Sequence, residues 1–352
     1  MKNKVLVIGS NGFVGFNLVK ELISHNYEVY CGISSQNSAY RVCTINSKKI
    51  IIDITSDIIN DILNEIDYII NCSTGSAEVI EDGTRNLLKA CRKYNIEKYI
   101  HLSSVDVFGS LSGDIYEDSE KKPITPYGKS KLKSEEICYN FINSGQAITI
   151  LRPAIIYGPD SELWVNRICK RVLTRNFSLT SKSLDSQCNL IYVSDLSRIC
   201  IEALKNRNTN NKIYNISFNE KLSWYQYYDF YSQQLNDTKL KLQNHFLIRN
   251  KLFFLDYLKS FALFLLKNFK QLILNVANSN SIVKNVFKKS QSVLTTNLNL
   301  NELDLVSRNV FYKSKNFNSD FNYKLNFNFD KGKMISLEWF KEYFIFEKNN
   351  EH

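Results

Sequence analysis

The sequence has 352 residues, 44% of them apolar and 23% charged, and a formal net charge of +10. That balance excludes a disordered chain and allows one large two-lobed domain, or two smaller ones, around a sizeable core. The positive charge lies among asparagines and acids without a concentrated basic stripe, which argues against a nucleic acid as partner.

The eight cysteines form no C-x-x-C pair and no His/Cys cluster at metal spacing, so no metal site is expected. Reduced thiols in a cytoplasmic location fit best. "MKNK" leads directly into a short strand, too brief an apolar run for a signal peptide, and no stretch of about 20 apolar residues is present to span a bilayer.

In chain order, "KVLVIG" (4–9) reads as a buried strand, "GFVGFNLVKELISH" (12–25) as an amphipathic helix and "YEVYCGI" (27–33) as a second strand. Strands follow at 48–54 and 67–73, a helix at 81–95, a strand at 98–104, a helix at 126–144 and a strand at 147–153. Short apolar runs alternating with helices predict βαβ units, and hence a doubly wound α/β fold with a parallel sheet covered on both faces. After Pro153 the rhythm loosens, with one more strand at 212–217 and a helix-rich remainder. The expected division is a dinucleotide-binding Rossmann domain over 1–152, completed by about 187–217, and a smaller, mainly helical substrate lobe from 153–186 and 218–352.

"GSNGFVG" puts Gly9, Gly12 and Gly15 where the first strand turns into the first helix. Glycines there allow a tight turn and close approach to a pyrophosphate, and the helix start offers unpaired N–H groups. The spacing is G-x-x-G-x-x-G rather than the standard dinucleotide fingerprint. The cofactor-binding set expected around it is Gly9, Asn11, Gly12, Phe13 and Gly15. The second strand ends in Ser34 and Ser35, where a carboxylate would hold the adenosine ribose of NAD. Serines there, with Arg41 beyond, lean toward the 2′-phosphate of NADP. Asp53 and Ile54, at the end of the third strand, are candidates for the adenine, although Asp53 equally suits a cap.

Tyr127 and Lys131 in "PYGKSK" are four apart and share a helix face. A nearby ammonium stabilises a phenolate, so the pair could move a proton to or from an alcohol oxygen. Alone, such a pair is common in a lysine-rich chain. Ser104 in "HLSSVDVFG", at the carboxyl end of a strand where parallel sheets bind ligands, adds a group for the same oxygen.

Taken together, "GSNGFVG", "DGTRNLLKAC", "HLSSVDVFG", "PYGKSK", "LRPAIIYGP" and "LIYVSDL" resemble the extended short-chain dehydrogenase/reductases, the NAD-dependent epimerase/dehydratase family. The resemblance covers roughly residues 4–217 and returns in "FYKSKNFNSDFNYKLNFNFDKGKMISLEWF". It implies hydride exchange between a nicotinamide and a carbon bearing a hydroxyl or ketone. Tyr127 would be the acid/base, Lys131 would hold the nicotinamide ribose, Ser104 would orient the substrate oxygen, and backbone at Pro153 would flank the nicotinamide. Asp195 matches a mostly structural helix-capping acid.

Most such relatives act on nucleotide-activated sugars, so the expected function is that of a 4-ketoreductase or 4-epimerase. The dehydratases carry two adjacent acids after the strand-tip residue, where this sequence has Val105 and Asp106. That departure disfavours dehydration and leaves Asp106 to contact substrate or face solvent. Cys188 stands where UDP-galactose-type epimerases have a diphosphate-gripping arginine, a loss that Arg167, Arg171 or Arg308 could offset. The segment 251–278 sorts lysines and apolar residues to opposite sides of a helix, suiting an anionic bilayer surface, a lobe interior or a homodimer interface. It keeps two other readings open: a dehydrogenase of an apolar alcohol, such as a 3β-hydroxysteroid, or an enzyme of a lipid-linked sugar at the inner face of the membrane. A non-catalytic nucleotide-binding protein is the remaining one.

Overall fold

The computed structural model describes residues 2–58, 61–174, 179–218, 220–236, 240–255, 257, 300–321, 323 and 325–350. The chain divides into two compact units. The first is Met1–Ser161, Asn189–Glu220 and Val310–His352; the second is Glu162–Cys188 and Lys221–Asn309.

The first unit is built on β1 (Lys4–Ile8), α1 (Phe13–Ser24), β2 (Glu28–Ile33), β3 (Lys48–Ile51), β4 (Tyr68–Asn71), α2 (Ala77–Lys93) and β5 (Lys98–Leu102). It continues through β6 (Gly113–Ile115), α3 (Pro126–Ile142), β7 (Ile148–Pro153) and β8 (Ile155–Tyr157). After an excursion into the second unit come β9 (Leu190–Tyr192), α5 (Val193–Lys205) and β10 (Lys212–Ile216), α4 (Arg167–Leu173) belonging to that excursion. Seven parallel strands run in the order β10-β7-β5-β4-β1-β2-β3. This is the expected doubly wound sheet, and the order reverses between β1 and β4, where the carboxyl ends of such strands open a crevice.

Period-two alternation decides which side chains go where. Val5, Val7, Val29, Cys31, Ile70 and Leu102 pack on one face with Leu18 and Leu22 of α1 and Leu196 and Ile199 of α5. Leu6, Ile8, Tyr30, Ile69, Ile148 and Ile150 pack on the other with Leu87 and Leu88 of α2 and Ile137 and Cys138 of α3.

Some boundaries differ from the periodicity. α2 begins at Ala77, ahead of the expected 81, because Ser76 Oγ accepts from Val79 N. β4 stops at Asn71, whose Oδ1 accepts from Ser73 N and turns the chain out of the sheet. The closing segment from Val310, expected in the substrate lobe, clusters with the first unit instead. β11 (Val310–Tyr312) pairs with β6, and Asp195 Oδ1 accepts from Tyr323 Oη at 2.6 Å and from Asn326 N at 3.0 Å. Asp195 thus anchors that segment, in keeping with the structural role its motif implied.

The second unit contains α4 and α6 (Trp224–Asn236), an aromatic cluster of Trp164, Trp224, Tyr227 and Tyr231, and α7 (Leu300–Ser307). No described helix is long and apolar enough to cross a membrane. Of the segment 251–278, residues 256 and 258–278 lie outside the described residues.

Candidate active site

The glycine turn is held by contacts that tolerate no side chain. Gly9 adopts φ +74°, and a Cβ there would stand 2.9 Å from the Cys72 carbonyl oxygen. A Cβ on Gly15 would lie 2.2 Å from the Gly9 carbonyl oxygen. The backbone at the start of α1 is therefore bare, as a pyrophosphate needs. Asn11 serves the turn differently: its Oδ1 accepts from Arg41 N at 2.8 Å and Val42 N at 3.3 Å, tying down the loop after β2.

Beside the turn lies a cleft of about 430 Å³. Gly9, Asn11, Gly12, Ser34, Asp53 and Ile54 line it, as do Ser38, Ser73 and Thr74. Of the expected cofactor set, Phe13 opens α1 and Ser35 caps a short turn with Ser38, neither among the lining residues. Asp53 Oδ1 accepts from Thr55 N and Oγ1, which holds its carboxyl below the usual range. Arg41, read as a 2′-phosphate partner, places Nη2 2.7 Å from Asp160 Oδ2.

Ser73 and Thr74 were missed by sequence reasoning. The signal was their place directly after β4, the strand beside β1 at the reversal of strand order. The Ser73 hydroxyl is buried with no hydrogen-bond partner among the described residues, and Ser73 is one of the residues that line the cleft. An orphaned buried hydroxyl together with a backbone cradle that any Cβ would fill fits a bound dinucleotide.

At the carboxyl end of β5 and the start of α3 the structure brings Ser104, Tyr127 and Lys131 together. Thr125 caps α3, its Oγ1 accepting from Gly128 N at 2.9 Å, and Pro126 takes the first helical position. This fixes Tyr127 on the first turn and Lys131 one turn on. Lys131 is buried, donating from Nζ to Leu102 O at 2.8 Å and Ser73 O at 3.1 Å. Desolvation brings its ammonium down to about 8.

Tyr127 is 38% exposed as a residue, yet desolvation is the largest cause that pushes its phenol up, to about 12. The Asp106 carboxylate raises it further and a hydrogen bond from Ser104 lowers it. The lowering expected from Lys131 is not found: burial dominates, and the groups that act on the phenol are Asp106 and Ser104. Asp106 itself is engaged: its Oδ2 accepts from Thr125 Oγ1, so it braces the cap of α3 rather than facing open solvent.

Behind these residues lies a buried ion pair. Arg152 donates from Nε to Glu135 Oε1 at 2.8 Å and from Nη2 to Glu135 Oε2 at 2.7 Å, and the Ser103 hydroxyl also donates to Glu135. Glu135 follows Lys131 by one turn, Ser103 precedes Ser104, and Arg152 precedes Pro153 at the end of β7. One carboxylate thereby ties together the three segments that carry the site.

In the second unit, Arg167 Nη1 lies 2.5 Å from Glu302 Oε1 and Arg171 Nη2 lies 2.9 Å from Glu302 Oε2. Arg308 is half-buried just before β11, and Cys188 is buried with its thiol pushed well up by desolvation.

A doubly wound sheet with a bare glycine turn, a cleft lined by that turn and a Tyr/Lys/Ser group beside it is the arrangement of a nicotinamide-dependent oxidoreductase class. Residues 5–217 match the model of the NAD dependent epimerase/dehydratase family, and the chain belongs to that family. It is an enzyme whose cofactor class is NAD. Among curated proteins it is 26% identical over 245 residues to the N-acetyl-alpha-D-glucosaminyl-diphospho-ditrans,octacis-undecaprenol 4-epimerase of Escherichia coli O157:H7, covering 67% of this chain and 73% of that one. Among solved structures it resembles the UDP-glucuronic acid 4-epimerase of Bacillus cereus in complex with NAD (TM-score 0.69, 19% identity, 96% of this chain and 99% of that one). It also resembles the UDP-glucose 4-epimerase of Thermotoga maritima with UDP-glucose (TM-score 0.68, 16% identity, 97% and 99%). At these identities the two structures speak to the fold.

Proposed function

We propose that the chain is a 4-epimerase of a sugar carried on a diphosphate, in the first instance a nucleotide-activated sugar, with a 4-ketoreductase using the same site as its nearest alternative. The observation that carries this reading is the grouping of Ser104, Tyr127 and Lys131 beside the glycine-lined cleft. The names of the relatives above support the sugar diphosphate. Engagement of Asp106 by Thr125 argues against a dehydratase, which needs free acids at that strand tip.

Gly9, Gly12 and the start of α1 would hold the pyrophosphate, Asp53 and Ile54 the adenine end, and Lys131 with Pro153 the nicotinamide end. When bound, the nicotinamide supplies a reversible hydride acceptor at the sugar carbon. As the phenolate, which the positive charge of an oxidised nicotinamide beside it would favour, Tyr127 would take the proton from the adjacent hydroxyl and return it, and Ser104 would hold the oxygen between the two events. The ion pair of Arg41 with Asp160 favours NAD over the expected NADP, because a neutralised guanidinium is a weak partner for a 2′-phosphate. Arg167 and Arg308 stay as substrate-side proposals, with a homodimer in the cytoplasm as the working assembly.

A second reading keeps the chemistry and places the sugar on a lipid diphosphate at the inner face of the membrane. The E. coli relative acts on such a substrate by its name, and an exposed aromatic helix in the second unit favours it. The test is to purify the full chain, record whether nicotinamide absorbance accompanies it, and offer UDP-, dTDP- and CDP-sugars with NAD. C4-epimers appearing without net change in nicotinamide absorbance are expected. Stoichiometric NAD(P)H oxidation by a nucleotide keto-sugar offered in the same panel would assign a ketoreductase instead, and no turnover by either route would overturn the nucleotide-sugar reading, leaving a lipid-linked sugar diphosphate as the substrate to offer next.

A further inference from the structure

In the second unit the chain is helical over 245–255 and again at 257. Asn244 caps this helix, its Oδ1 accepting from Phe246 N at 2.9 Å and Leu247 N at 3.3 Å. Just before it, Gln243 N donates to Leu179 O at 2.8 Å, fixing the helix start to the body of the unit. Ile248 and Leu252, one turn apart, are buried and set which side faces inward.

The opposite side is also apolar. Phe246, Leu247, Phe253, Phe254 and Tyr257 are exposed by between 60% and 69%. At 100° per residue they fall within one face, 246, 253 and 257 in one row and 247 and 254 in the next. Single exposed apolar residues are ordinary, but five large ones on one helical face mark a contact surface.

The charges decide what it contacts. Exposed Lys241, Arg249 and Lys251 accompany the face, and Lys182 and Arg249 both act on His245 at the helix start, opposed there by Asp304. The sequence from 241 to 257 holds three Lys/Arg residues against one acid, Asp256. A second copy meeting this face across a two-fold axis would set cations against cations. Anionic phospholipid headgroups would neutralise them while the phenyl and tyrosyl rings enter the acyl boundary.

We propose that the exposed face of the helix that begins at 245 is a docking surface for an anionic lipid bilayer, holding this enzyme at a membrane face. The docking does not depend on which sugar is turned over, so the test uses no substrate.

The full chain is floated with phosphatidylcholine vesicles containing about a third phosphatidylglycerol and with vesicles of phosphatidylcholine alone, at low and at high salt. The expected result is binding to the anionic vesicles that weakens with salt and falls at least tenfold, on the order expected for losing two inserted rings, in Phe253→Ser/Phe254→Ser. Both rings are exposed, so the melting temperature of that variant should match the parent, and measuring it separates lost docking from lost folding. No binding to anionic vesicles, or binding unchanged in the double variant, overturns the proposal. Concentration-dependent dimerisation by light scattering that the double variant abolishes, in a chain that ignores vesicles, assigns the face to a second copy and likewise overturns it.

Discussion

Lys131 lies under Tyr127, its Nζ 5.8 Å from the centre of the tyrosine ring, and directs its hydrogen bonds to carbonyls at the ends of β4 and β5. The ammonium is thus fixed to the sheet floor and the phenol is carried above it on the first turn of α3. One residue anchors the site, while the other stands where the proposed reaction would bring the reacting oxygen.

Tyr127→Phe removes only the hydroxyl. Turnover should fall by about 10²–10⁴-fold, the usual worth of a positioned acid/base, while NAD binding is retained. Single-turnover kinetics beside an NAD titration checks both halves, and a variant turning over at the parent rate would remove Tyr127 from catalysis.

Gly15→Ala places a methyl where the Gly9 carbonyl oxygen already sits. The turn must open, so NAD affinity should drop at least about tenfold, with stability lowered by roughly 1–3 kcal/mol. Calorimetric titration and a melting curve on the same sample read the two effects, and unchanged affinity would contradict the cradle.

The Glu135–Arg152 pair is fully buried. Removing one partner, as in Glu135→Leu, leaves an uncompensated guanidinium and should cost about 3–5 kcal/mol; the double variant Glu135→Leu/Arg152→Leu should recover a large part of that. If the pair also positions Ser104 and Pro153, kcat stays low in the double variant although stability returns. Recovery of kcat together with stability would leave the pair a purely structural role.

Stability of the cofactor-free chain should depend on pH through Lys131, whose ammonium sits at about 8 when folded against 10.5 ordinarily. Below the folded value both states hold the proton and the folded state bears the full desolvation cost. Between the two values only the unfolded chain holds it, so stability rises with pH across that window. From about pH 7 to about pH 10 the parent should therefore gain up to about 3 kcal/mol relative to Lys131→Met. Urea midpoints at the two pH values measure it, and parallel slopes would count against a desolvated ammonium.

Asp106→Asn withdraws a negative charge that raises the Tyr127 phenol. The Tyr127 titration, isolated in each background as the difference spectrum against the same protein carrying Tyr127→Phe, should move to lower pH. A shift upward would mean that the Asp106 charge does not reach the phenol.

Much of this protein was legible in the sequence because the signals are local. Alternating apolar strands and 3.6-periodic helices dictate a doubly wound sheet, a glycine turn at the first strand end dictates a bare helix start, and four-residue spacing puts Tyr127 and Lys131 on one face. Other assignments depended on partners distant in sequence, and only the tertiary structure decided them. Asp106 became a brace because Thr125 reaches it, Arg41 was drawn to Asp160, Ser73 came to line the cleft because β4 neighbours β1, and Glu135 met Arg152 because β7 pairs with β5 under α3. The closing segment joined the first unit through β6 and Asp195 rather than the helical unit that precedes it. Periodicity records which side of an element is buried; which charged group meets which is set by topology, since an ion pair or an orphaned hydroxyl exists only once distant strands are side by side.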